Sequence, residues 1–228
     1  MRSLILWLFS HRTLALLRWD FHFLKIRMGN VLFFNKRVIN NLLNNGSKVK
    51  YLNLGSGPRG IDDGNWINID GFKDTNVHYL CDFSRPMPFN ANVLDGIFCE
   101  HVLEHFDYSN GKKLMQECYR ILKKEGVIRI IVPDGNTIIN AYLNDPEFIV
   151  KYKTCETKFP MEAVNTWFYQ RYEHQCIYDA DYLVDMLHSA GFSKAKKCGF
   201  KESAFGNTDL VLDDQKYSWE SLYVEAIK

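Results

Sequence analysis

The chain of 228 residues has no paired cysteines, no surplus of one charge and no apolar run long enough to cross a bilayer. Its six cysteines (Cys81, Cys99, Cys118, Cys155, Cys176, Cys198) form no C-x-x-C pair, which excludes a zinc knuckle and a disulfide framework and points to a reducing, cytoplasmic setting. With 28 cations against 27 anions, it lacks the basic excess of a dedicated nucleic-acid binder. The apolar stretch from Leu4 to Phe9 stops at Ser10-His11-Arg12, too short for a membrane span and without the small residues of a signal cleavage site. At 46% hydrophobic and 24% charged residues, the chain is neither disordered nor collagen-like and can bury a full core.

The near-neutral balance conceals a split. Residues 1–40 hold seven cations and one anion, a net of +6, and the remaining 21 cations and 26 anions give −5. From Thr13 to Met28, apolar and aromatic residues alternate with Arg18, Lys25 and Arg27, which predicts a helix. That helix either packs over the following domain or lies on a membrane surface through residues 1–28. Asn44-Asn45-Gly46-Ser47 marks a turn, dividing a helical extension (1–46) from a main domain (47–228).

Beyond that turn, short apolar strands are expected at Val49–Leu54, Trp66–Asp70, His78–Cys81, Val93–Cys99, Val127–Val132 and Leu222–Ile227. Helices are expected from Gly111 to Leu122 and from the N-cap Asp179 to Ala190, closed by Gly191. Alternation of this kind predicts an α/β fold with a mostly parallel sheet covered on both faces. Residues from about 140 to 175 fit neither period and read as an inserted aromatic lid.

Gly55-Ser56-Gly57-Pro58-Arg59-Gly60 follows the first strand, where glycines let backbone approach a ligand. The G-x-G-x-x-G spacing raises an NAD(P)-dependent oxidoreductase, but too few residues separate Gly60 from the next strand for the helix that would receive a pyrophosphate. A nucleoside without phosphates fits better. Asp70 ends the second strand and can accept from a ribose diol; Asp82 follows the third and can accept from an adenine amino group while the Phe83 N–H donates to the ring.

These pieces resemble the class I S-adenosylmethionine-dependent methyltransferases over roughly Lys48 to Lys228. The resemblance runs through Asn53-Leu54-Gly55-Ser56-Gly57, Asn68-Ile69-Asp70, Cys81-Asp82-Phe83, Pro86-Met87-Pro88-Phe89, Leu94 to His105, Tyr119 to Val127 and Ala190-Gly191-Phe192. Within the family, the chain is similar to a group with N-L-G-x-G-P and W-I-N-I-D motifs met in polysaccharide and cell-envelope pathways. The resemblance implies a Rossmann-like sheet of seven strands, S-adenosylmethionine as cofactor, and a cofactor site including Asn53, Gly55, Ser56, Gly57, Arg59, Asp70, Asp82, Phe83, Glu100 and His101. Two departures stand out. Asn53 replaces the usual acid, and the first crossover helix is reduced to Ile61–Asn65, leaving Arg59 to pair with the cofactor carboxylate.

Methyl transfer to a hydroxyl needs a base, and His101, His105 and His174 are the candidates. His101 and His105, spaced i and i+4, are expected on one helix face beside Glu104. His101-x-x-Glu104-His105 is similar to the Glu-x-x-Glu-His of magnesium-using methyltransferases, but histidine suits that hard ion poorly, and no metal is expected. The segment Trp167 to Gln175 could seat a sugar ring. No Asp-Pro-Pro-Tyr motif follows the fourth strand, so a glycan or small-molecule O-methyltransferase is expected ahead of a nucleic-acid enzyme, with a non-catalytic cofactor scaffold as the remaining alternative.

Overall fold

The computed structural model describes residues 11–32, 39, 43, 48–152 and 157–228; the turn predicted at Asn44–Ser47 lies outside them. A helix, α1 (His11–Leu32), precedes β1 (Tyr51–Leu54), β2 (Trp66–Asp70), β3 (Tyr79–Leu80) and β4 (Leu94–Glu100). Then follow α2 (Tyr108–Ile121), β5 (Leu122–Pro133), α3 (Gly135–Asn144), α4 (Pro146–Tyr152), α5 (Pro160–Tyr169), α6 (Ala180–Ala190), β6 (Lys194–Cys198) and β7 (Ser221–Ile227). The seven strands form one sheet in the order β3-β2-β1-β4-β5-β7-β6, the Rossmann-like class I methyltransferase arrangement. β1 to β5 run parallel, and β7 enters antiparallel between β5 and β6. Because β1, β2 and β4 are parallel, Gly55, Asp70 and Glu100 all emerge at one edge of the sheet.

The central strands are buried on both faces over Ile97–Cys99 of β4 and Val127–Pro133 of β5, runs that are apolar apart from Arg129. α2 begins at Asp107, whose carboxylate accepts from the Asn110 N–H, and it buries Leu114, Met115, Cys118 and Ile121 against the sheet. The Asp179 cap and the left-handed Gly191 that closes α6 are where the sequence places them.

The segment whose sequence fits neither period, expected as an inserted aromatic lid, is helical. α3, α4 and α5 bury Ile138, Ile149, Ala163, Val164 and Trp167 in a small core of their own. Opposite, the face that the short 55–65 connection leaves without a helix is covered by residues from the β6–β7 loop. Leu210, with Phe200 and Phe205, packs on Trp66, Phe98 and Val127.

α1 lies over the ends of β2 and β3. The His22 Nε2 donates to the Gly71 carbonyl (2.7 Å), the Asn30 amide donates to the Leu80 carbonyl (3.0 Å), and the His22 ring stacks on Phe72 at 4.6 Å. Its opposite side exposes Leu17, Phe21, Leu24, Met28 and Val31. Among the described residues no helix is long and apolar enough to cross a membrane.

Candidate active site

The loop after β1 turns on two glycines in the left-handed region, Gly55 (φ +72) and Gly57 (φ +48). A Cβ at Gly55 would sit 2.1 Å from Val102 Cγ2, so only glycine lets the loop lie against the segment following β4, whereas the space at Gly57 is open. Asn53 is buried beneath the loop and its amide donates to the Arg59 carbonyl (3.1 Å) and to Asn68 Oδ1 (3.2 Å). The residue that replaces the family's acid therefore ties the loop together by neutral hydrogen bonds. Asn53, Gly55, Ser56, Arg59, Phe98 and Glu100 line a cleft at this edge.

Asp70 is oriented by two backbone donors, the Gly57 N–H to Oδ2 and the Phe72 N–H to Oδ1, both at 2.8 Å. Asp82 is more fully engaged. Its Oδ1 accepts from the Ser84 hydroxyl (2.6 Å) and N–H (3.0 Å), and its Oδ2 pairs with Arg27 of α1 at 3.5 Å. Phe83 is half-buried against the main core. The expected adenine end of the site thus has α1 as a neighbour, which no local motif announces.

At the other end, Arg59 Nη1 pairs with Glu100 Oε2 (2.5 Å) and Asp214 Oδ2 (3.2 Å), and the guanidinium lies over Tyr217. Arg59 is in the cleft as expected, but two carboxylates already neutralise it, so it is not a free cation awaiting a carboxylate. Glu100 Oε1 also accepts from the Asp214 N–H (3.2 Å). The β6–β7 loop that delivers Asp214 is anchored by Arg129 on β5. This fully buried guanidinium donates to Asp213 from Nε at 2.7 Å and Nη2 at 2.5 Å, and to Glu225 at 2.9 Å. Burial works against its charge, but the Asp213 bonds prevail and raise its pKa.

Beyond β4 the structure corrects one expectation. His101 has φ +53, and the helical turn that follows spans only Leu103–His105. His101 and His105 therefore share no helix face. They are linked instead through Glu104, which is completely buried. Glu104 Oε1 lies 3.1 Å from His101 Nδ1, and His101 Nε2 lies 3.2 Å from the Ser221 hydroxyl. Burial opposes ionisation of both groups, but their hydrogen bond prevails: the Glu104 carboxyl is held below its usual value and the His101 imidazole above its own. His174 is buried, its ring 4.9 Å from that of His105, and desolvation lowers its pKa. In the segment before it, Trp167 is sealed inside the lid and bonded to Glu220, while Tyr169 and Tyr172 stay exposed. Sequence reasoning missed Asp214 and Tyr217, which arrive from a loop without a motif, and Ser221, the first residue of β7.

Residues 66–130 match the family model described as a methyltransferase domain. No curated protein matches the chain significantly. Among solved structures, a possible histamine N-methyltransferase of Thermotoga maritima is 14% identical, with a TM-score of 0.50 over 87% of this chain and 98% of that one. A SAM-dependent methyltransferase from Archaeoglobus fulgidus is 18% identical, with a TM-score of 0.49 over 90% and 96%. The seven-stranded sheet and its glycine loop define a class I methyltransferase fold. The family match falls inside that sheet, from β2 into β5, and S-adenosylmethionine is the cofactor that methyltransferase domains of this fold use.

The residues at the sheet edge fit that cofactor. Ser56 is buried with no hydrogen-bond partner for its hydroxyl, Gly57 leaves open space beside the loop, and the Asp70 carboxylate is aimed by backbone at the end of β2. Asp70 would hold the ribose diol, and Glu100 with Arg59 would meet the charged amino-acid end.

Proposed function

We propose that the chain O-methylates a glycan or small-molecule hydroxyl, with His101 as the general base. The observation behind this reading is the way the imidazole is held. A carboxylate can only accept, so His101 Nδ1 carries the proton toward Glu104, and in the neutral imidazole the Nε2 lone pair is left to accept from the Ser221 hydroxyl. A substrate hydroxyl replacing that of Ser221 would meet a lone pair already aimed at its proton. His101 directly follows Glu100, which lines the cleft, so base and cofactor site share one edge.

The cofactor supplies a methyl group on a positively charged sulfur. The protein's share is alignment, exclusion of water and removal of the acceptor's proton. Exposed Tyr169 and Tyr172 on the lid offer aromatic faces of the kind that pack on sugar rings. The oxidoreductase reading lacks a physical basis, because residues 55–65 form no helix to receive a pyrophosphate.

In the same proposal, the exposed stripe Leu17-Phe21-Leu24-Met28-Val31 of α1, flanked by exposed Arg18 and Lys25, rests on an anionic membrane and brings the cleft to lipid-linked acceptors. Co-sedimentation with phosphatidylserine vesicles is expected to fall sharply in a Phe21→Glu, Leu24→Glu variant; equal sedimentation removes the membrane role. The activity itself is tested by incubating the protein with methyl-labelled cofactor and cell extract fractionated by class. Label is expected in glycans, lipid-linked glycans or small molecules. Label confined to nucleic acid or protein overturns the reading, and cofactor binding without transfer to any fraction identifies a scaffold.

A further inference from the structure

Glu104, His105 and His174 form a cluster whose hydrogen bonding is incomplete in a specific way. Glu104 is 0% exposed; its Oε1 meets His101, and its Oε2 has no partner. His105 Nδ1 lies 3.2 Å from the Glu173 carbonyl, and His174 Nδ1 contacts the Trp167 carbonyl at 2.5 Å. A carbonyl can only accept, so in both rings Nδ1 carries the proton and Nε2 keeps a bare lone pair. The three residues crowd together around a buried carboxylate oxygen that no donor meets, an arrangement that ordinarily costs a protein stability.

We propose that Glu104, His105 and His174 bind a divalent transition-metal ion of the zinc type. Each residue offers one ligand atom, and the three lie within 4.8 Å of one another. Two imidazoles and a carboxylate make a mixed nitrogen and oxygen set, which suits zinc, cobalt or nickel and suits magnesium poorly. Binding requires the donors to close to the roughly 3.3 Å spacing of ligands about 2 Å from one ion. His105, only half-buried, is the side chain with room to make that move. The two carbonyl contacts are the supporting shell that fixes ring orientation in metal-bound histidines.

Three protein ligands leave zinc an open position, which can take an acceptor oxygen. Glu104 would then join two centres, Oε1 orienting His101 and Oε2 holding the ion. The triplet His101-x-x-Glu104-His105 does not disclose this set, since His101 faces Ser221 and the third donor arrives from beyond α5.

The test is binding, independent of methyl transfer. Full-length protein stripped with a chelator is titrated with Zn²⁺ by calorimetry and with Co²⁺ by visible absorption. One ion per chain is expected, with intense cobalt bands of low coordination number. His105→Ala and His174→Ala are each expected to weaken binding about 100-fold, and Glu104→Gln similarly. His188→Ala, which lies on α6, is expected to change nothing. Because Glu104 is completely buried and its variant can fail to fold, the half-buried His105 decides the matter, with melting curves confirming an intact fold. Absence of saturable binding at millimolar Zn²⁺, or stoichiometric binding that survives His105→Ala, overturns the proposal.

Discussion

Arg129 and Glu104 are both completely buried charged residues, one on β5 and one just beyond β4, yet their surroundings differ in one respect. Arg129 faces two carboxylates, Asp213 and Glu225, together with the Glu202 and Gly199 carbonyls, so its donors are met from all sides. Glu104 faces three histidines and still leaves one oxygen without a donor. A closed network of buried charge fixes geometry, whereas an open one has capacity for something the chain does not itself supply. The first holds the β6–β7 loop against the sheet, and the second contains the base and the ion site proposed above.

Breaking the closed cluster should give the largest effect. Arg129→Met leaves Asp213 and Glu225 buried without a cation, and a loss of about 3–5 kcal/mol in unfolding free energy is expected by chemical denaturation. A loss below about 1 kcal/mol would show that the network is not what holds the loop.

In the open cluster the effect should fall on turnover and spare folding. His101→Ala is expected to lower kcat about 10²–10⁴-fold, with cofactor affinity within about twofold of wild type. Parallel loss of cofactor binding would instead make His101 part of the cofactor pocket.

Between the two clusters stands Arg59, which joins Glu100 in the cleft to Asp214 on the loop. Arg59→Ala should weaken cofactor binding about tenfold by calorimetry while leaving the melting temperature nearly unchanged. The smallest effect belongs to a partly exposed pair, Glu117 with Arg120. Partial burial raises the Glu117 carboxyl, but the Arg120 hydrogen bond and the Met87 N–H outweigh it and lower its pKa. Its contribution is therefore present above the ordinary carboxylate range and lost as pH falls through the lowered value. Glu117→Gln should flatten the acid limb of stability by less than about 1 kcal/mol after solvent screening, measured by melting from pH 6 to 3.

The sheet strands and the glycine turn were legible because their signals are local. Asn53 to Gly57 turns tightly on Gly55 and Gly57, and Asp70 ends its strand. The helices of the inserted segment were not, although Asp134 caps α3 and Pro160 opens α5, because their buried residues serve only a small core of their own while apolar Ile139, Leu143 and Met161 stand exposed, which blurs the helical period. β6 was missed for the opposite reason. Lys194-Ala-Lys-Lys-Cys is an edge strand with exposed lysines, a composition that protects an open edge and gives little alternation to read. The left-handed backbone at His101 and the approach of His174 to Glu104 depend on tertiary packing, so no spacing in the sequence could announce them.

The loop that stands in for the missing crossover helix also sets an order of assembly. Asp214 and Tyr217 flank Arg59, and Asp213 and Glu225 meet Arg129, contacts that span 84 residues for Arg129 with Asp213 and 155 for Arg59 with Asp214. A chain whose β1 to β5 have formed before the β6–β7 loop docks would own the glycine loop and Asp70 but only part of the cleft wall. Such long-range closure makes completion of the cleft a late, slow step in folding.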